Sequence, residues 1–166
     1  MKKSGLSGRD LEDLFFGKHD TLHFEINVNS SFEACFVNAV MAQPKGHDPD
    51  EPTDKWLVII KEKLCRMLGS PVSLYNCRDL PIDILHSTDL LVVSWPLKSF
   101  VTVDITLDEK GSSKADTKFL FEDFRSAGMD RFCQKVADFL RANPDRIGPD
   151  ILELMSKSPL QRCNSG

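Results

Sequence analysis

The sequence predicts an α+β fold, a single domain with a mixed central sheet flanked by helices. Three observations carry that expectation. Two apolar, β-branched runs, 88–95 and 100–107, are separated by a short turn holding Pro96. Residues 21–28 alternate strictly, with Leu22, Phe24, Ile26 and Val28 on one face, as a half-buried strand does. Amphipathic spacing over 54–68 and 125–142 supplies helices able to cover a sheet.

The remaining elements follow from local signals. A short helix over 8–16 gathers Leu11, Leu14, Phe15 and Phe16. Ser30 and Glu33 have the spacing of a capping box at the head of a helix running to about Gln43 and stopped by Pro44. Residues 45–52, with Gly46, three acidic residues and two prolines, read as an exposed loop. Thr53 or Asp54 caps the next helix, which places Trp56, Leu57, Ile60, Leu64 and Leu68 on one side and stops at Gly69. Residues 71–75 suit a short strand, 81–85 fit either a helix or a strand, and 118–121 suit a further strand. The long helix turns Phe132, Val136, Phe139 and Leu140 inward and ends before Pro144. A last short helix covers 150–156, which closes the domain at about 157 and leaves 158–166 as a tail.

Composition narrows the function classes. A chain of 166 residues with 41% hydrophobic and 28% charged content can bury a core and is not a disordered segment. No apolar stretch is long enough to span a bilayer, and the lysines at the start have no apolar segment behind them, so neither a membrane span nor a secretory signal is expected. Five scattered cysteines without ligand spacing read as reduced thiols in a cytoplasmic protein, with Cys35, Cys65 and Cys133 as small core residues and no zinc site. The net charge of −4 counts against nonspecific nucleic-acid binding. Lys98, Lys110, Lys114 and Lys118 nevertheless flank the second apolar run. The sequence has no serine-hydrolase elbow, phosphate-cradling loop or dinucleotide fingerprint, and no bound organic cofactor is expected.

Two aspartates stand out. Asp89 opens the first apolar run and Asp104 interrupts the second, between Val103 and Ile105. A carboxylate in such surroundings is costly to desolvate unless it is paired, hydrogen-bonded or on a metal. Two of them on adjacent strands are one way to hold a hard divalent cation, Mg²⁺ or Mn²⁺. The structural alternative is that Asp89 caps a turn or pairs with a lysine, while Asp104 shares a solvent face with Phe100, Thr102 and Thr106.

Thr88-Asp89-Leu-Leu-Val-Val followed by Val103-Asp104-Ile105-Thr106 resembles the core of the PD-(D/E)XK nucleases, over roughly residues 30–142. The resemblance implies a restriction-endonuclease-like sheet and a metal-dependent nuclease-like activity on DNA or RNA. Asp89 and Asp104 would hold the metal, with Glu33 from a helix as the third ligand. It also implies a catalytic lysine where this chain has Thr106. A lysine from the next segment, Lys110, Lys114 or Lys118, is the expected substitute, unless catalysis is lost. Gln134 and Lys135 would line a substrate groove or simply form a solvated helix face. The rival reading is a non-catalytic, acidic protein-interaction or chaperone-like module, alone or as a homodimer. The missing lysine and the low pI favour it.

Overall fold

The computed structural model describes residue 5, residues 7–17 and residues 31–157. Strands β1 (Ser73–Asn76), β2 (Leu90–Ser94) and β3 (Ser99–Ile105) form an antiparallel meander. Strand β4 (Thr117–Phe119) adds in parallel beside β3, giving the order β1-β2-β3-β4. The helices are α1 (Gly8–Phe16), α2 (Phe32–Met41), α3 (Lys55–Leu68), α4 (Pro81–His86), α5 (Ser126–Ala142) and α6 (Pro149–Ser156), with a 3₁₀ turn over Phe121–Phe124. The α+β class and the antiparallel pairing of the two apolar runs are as the sequence predicts. The strand predicted over 21–28 and the tail 158–166 lie outside the described residues.

The sheet is covered on both faces. Leu74, Leu90, Val92, Val101, Val103 and Ile105 pack against α1, α3 and α5, with Phe15, Phe119 and Phe132 in edge-to-face contact between layers. Tyr75, Leu91, Val93 and Phe100 form the second core with α2, α4 and α6. This corrects the expectation that Phe100, Thr102 and Asp104 share a solvent face: Phe100 and Thr102 are buried under that second layer. The unbroken run Leu90–Val93 is the pattern of a strand buried on both sides. Cys35 and Cys133 are core residues as expected, Cys65 is half-buried, and Cys77 is buried as well.

Smaller shifts have local causes. Helix α2 starts one residue later than predicted, because Ser31 is its N-cap and accepts the Ala34 amide. That moves Glu33 from the capping-box position to the second residue of the helix. Residues 81–85 resolve as helix, with Pro81 at its first position, where a missing N–H costs nothing. Among the described residues, side chains and a loop carbonyl close the outer edge of β1. The Gln43 side chain bonds both the amide and the carbonyl of Asn76, His47 bonds the Leu74 carbonyl, and Pro49 accepts the Leu74 amide. Among the described residues, no helix is long and apolar enough to cross a membrane.

Candidate functional site

The chemistry gathers at one end of the sheet, where β2 begins and β3 ends. Leu90 pairs with Val103, so Asp89 arrives beside Asp104 just past the ladder's last pair. Asp89 straddles Asp104. Its amide donates to the Val103 carbonyl (2.8 Å), and its carboxyl Oδ2 accepts the Ile105 amide (2.9 Å). On the other side of β3, Asp104 pairs in register with Lys118 of β4. Asp89, Asp104 and Lys118 thus lie abreast across three adjacent strands.

Two further carboxylates complete the cluster. Asp83 comes from α4, which the chain enters through a turn at Arg78-Asp79 and leaves through Ser87. Asp79 and Ser87 both take positive φ, 62° and 54°. The Asp83 carboxyl accepts the Asp79 amide at 2.9 Å and lies close enough to Asp89 for the two to perturb each other. Glu12 comes from α1, whose apolar residues Leu11, Phe15 and Phe16 are sunk in the core. The turn holds α1 at two points: Asp79 pairs with Arg9 at 3.0 Å and Arg78 with Asp13 at 2.7 Å.

The cluster is short of positive charge. Burial, then the Asp83 and Glu12 carboxylates, push Asp89 up to about 10, against the opposing pull of the Ile105 amide. Burial also raises Asp83, with Asp79 and Asp104 adding to it. Glu12 is pushed up to about 7 by burial and by Asp83, with Arg78 and Arg9 opposing. Burial and mutual repulsion thus favour protonated carboxyls in this cluster, Asp89 above all.

Among the described residues, no three His, Cys, Asp or Glu side chains form a set that could hold a metal ion as they stand. The carboxyl oxygens that the structure places are turned to the Asp79 and Ile105 amides.

The expected third ligand, Glu33, is not brought to this end. It lines a surface depression of about 410 Å³ with Ser31, Asp150, Glu153, Leu154 and Lys157, and its charge acts on His86. The helical glutamate beside Asp89 is Glu12, from an earlier helix. The lysines divide as well. Lys110 is exposed on the 108–116 loop, and Lys114 donates to the Leu85 carbonyl at the end of α4. The ammonium of Lys118 is held by the carbonyls of Asp108, Glu109 and Gly111. Gln134 and Lys135 lie on the exposed side of α5, where Gln134 bonds Asp138. Sequence reasoning missed Glu12, Asp83 and Arg78. The available signal was that a buried Asp89 needs polar company from elements that were otherwise unexplained.

Comparison with known proteins finds no matching family model, no similar curated protein and no similar solved structure.

Proposed function

We propose that the chain is a metal-dependent nuclease-like protein that acts on the phosphodiesters of DNA or RNA with Mg²⁺ or Mn²⁺. The observation that carries this reading is the row Asp89–Asp104–Lys118 across β2, β3 and β4. It sets two acidic positions beside one another, with a lysine at the register position one strand over as the candidate for the charge that Thr106 lacks. Glu12 stands in for Glu33 as the helical carboxylate.

In this reading Asp89 and Asp104 hold the ion, with Asp83 and Glu12 beside them. When bound, such an ion activates a water and neutralises phosphate charge. The chain's own part is to keep Asp89 aligned on β3 through the Ile105 amide and to carry Lys118 at the register position beside Asp104, its ammonium held by the carbonyls of Asp108, Glu109 and Gly111.

One observation favours the rival non-catalytic module. A buried Asp89 whose carboxyl accepts the Ile105 amide is also what a purely structural latch would use. Calorimetric titration with Mn²⁺ at pH 8 separates the two. The nuclease reading expects binding with release of about one proton, lost in Asp104→Ala, together with Mg²⁺- or Mn²⁺-dependent cleavage of DNA or RNA that is lost in Asp89→Ala. No heat of binding, and equal cleavage by wild type and Asp89→Ala, would leave the latch and the interaction module.

A further inference from the structure

We propose that residues 43–50 are a removable guard over a strand-accepting edge, and that β1, once uncovered, pairs antiparallel with β1 of a second copy of this chain. The inference is independent of whether the carboxylate site holds a metal.

Strand β1 stands at one end of the strand order, and its residues alternate in the side to which their backbone groups turn. The Cys77 amide donates to the Asp89 carbonyl, so Cys77, Tyr75 and Ser73 face β2. Leu74 and Asn76 therefore turn their amides and carbonyls outward. All four outward groups are occupied by the guard. The Gln43 carboxamide accepts the Asn76 amide at 2.8 Å and donates to the Asn76 carbonyl at 3.1 Å. Its nitrogen also donates to the Ala39 carbonyl at 2.6 Å, which fixes the carboxamide to α2. His47 Nε2 donates to the Leu74 carbonyl at 2.8 Å, and the Pro49 carbonyl accepts the Leu74 amide at 2.9 Å. A carboxamide carries the donor and acceptor of a peptide group. Gln43 thus makes with Asn76 the pair of bonds that a residue of an added antiparallel strand would make. His47 and Pro49 together do the same for Leu74.

The guard imitates a strand without being one. Pro44 and Pro49 lack the amides of a true edge strand, so it offers no ladder of its own to a further strand. Its far end is tied by the Lys61 ammonium, which donates to the Asp50 and Val72 carbonyls, and by the Ser73 hydroxyl on the Asp50 carboxylate. Pro44 and His47 are buried, whereas Lys45, Gly46, Asp48 and Asp50 are exposed. A depression of about 270 Å³ opens between residues 50–52 and Val58 and Cys65 of α3. Segments held mainly by polar bonds, with little apolar burial, are the first to open in a fold.

The uncovered strand fits itself. In an antiparallel pair centred on Tyr75, Leu74 of each copy faces Asn76 of the other, and all four outward groups find partners. Open edges are commonly protected by charged side chains. Ser73-Leu74-Tyr75-Asn76 carries none, so the protection rests on the guard and no like charges oppose pairing.

The test uses the full chain without any ligand. Gln43→Met keeps the side-chain length and removes both bonds to Asn76, and His47→Phe keeps a ring and removes the bond to Leu74. Wild type, Gln43→Met and the double variant are followed by sedimentation velocity and backbone amide exchange across a dilution series. Wild type should sediment as a monomer with the Asn76 amide protected throughout. In dilute Gln43→Met that amide should exchange about tenfold faster, the upper end of what one net hydrogen bond is worth. The Tyr75 amide, which faces β2, should stay protected. On concentration the double variant should form a dimer and regain protection at Asn76. If the double variant does not fold, Gln43→Met alone carries the same test. A folded variant that stays monomeric at every concentration overturns the proposal. So does a dimer whose Asn76 amide exchanges freely, because association then uses another surface. Protection regained in a monomer only on adding an unrelated extended peptide of alternating threonine and valine would give the edge to a foreign strand and overturn the self-pairing.

Discussion

Two arginine–aspartate corners sit on the same sheet, and they treat buried charge in opposite ways. At the start of β3, Arg146 forks onto Asp116 at 2.5 and 3.0 Å, donates to the Phe100 carbonyl at 2.9 Å and stacks 4.0 Å over the Phe100 ring. The Asp116 carboxylate also accepts the Thr102 amide, and the Thr102 hydroxyl oxygen accepts the Asp116 amide in return. Charge is balanced there. At the far end of β3, Arg78 pairs with Asp13 and Arg9 with Asp79, while Asp83, Asp89 and Glu12 crowd one another with their carboxyls pushed up by burial. The chain is thus able to build a neutral corner. The second corner gathers buried carboxyls without such a balance, the kind of perturbed group that marks a candidate functional site.

The largest expected effect comes from breaking the balanced corner. Arg146→Ala leaves Asp116 half-buried and uncompensated, removes the cap on Phe100 and frees the segment leading into β4. We expect a loss of about 3 kcal/mol, roughly 10 °C in Tm for a chain of this size, read by thermal unfolding at pH 7. Mn²⁺ affinity should hold in the folded fraction.

The unbalanced corner should respond with the opposite sign. Asp89 keeps its proton up to about pH 10 in the folded chain, whereas the unfolded side chain loses it near the ordinary carboxylate value of about 4. Between those limits the folded state binds more protons, so stability is greatest below about pH 4 and falls as pH rises towards about 10. Glu12, pushed up to about 7, adds to the decline over the lower part of that range. Asp89→Asn keeps the shape of the protonated acid and removes this cost. It should raise Tm at pH 8 by a few degrees, on the order of 1 kcal/mol, flatten the pH profile and abolish Mn²⁺ binding. A variant that is more stable but has lost the ligand marks a site whose charge is held against stability. A Tm that falls in Asp89→Asn would sink that account.

How much of this was legible in the sequence depends on what each residue interrupts. Asp89 and Asp104 were readable because each breaks an apolar run whose pairing is local and separated by a short turn. Lys118 was readable only as one of several lysines, since its alignment with Asp104 depends on β4 pairing in parallel across the 106–116 loop. Asp83 sits in a helix of six residues, too short to show a period. Glu12 belongs to a helix far from β2 in sequence, and nothing local joins them. Arg78 lies in no motif, and its burial follows only from α1 folding over it. The two-sided core could have been inferred from Leu90–Val93, but the alternation of β3 suggested one wet face. The layer of α2, α4 and α6 overrode it.

The smallest effects test whether the helical carboxylate was correctly reassigned. Glu33 faces His86 and the α6 depression, so Glu33→Gln should leave both Tm and Mn²⁺ affinity within error of wild type. Glu12→Gln should change Tm little at pH 6, where Glu12 is already largely protonated, and raise it slightly at pH 8, where its charge adds to the crowding around Asp83 and Asp89. The same substitution should weaken Mn²⁺ binding at pH 8, because one carboxylate of the cluster is gone. Parallel titrations of the two variants at pH 8 decide between them. If Glu33→Gln weakens Mn²⁺ binding and Glu12→Gln does not, the cation belongs at the head of α2, and the end of the sheet is a structural corner with an unusual proton.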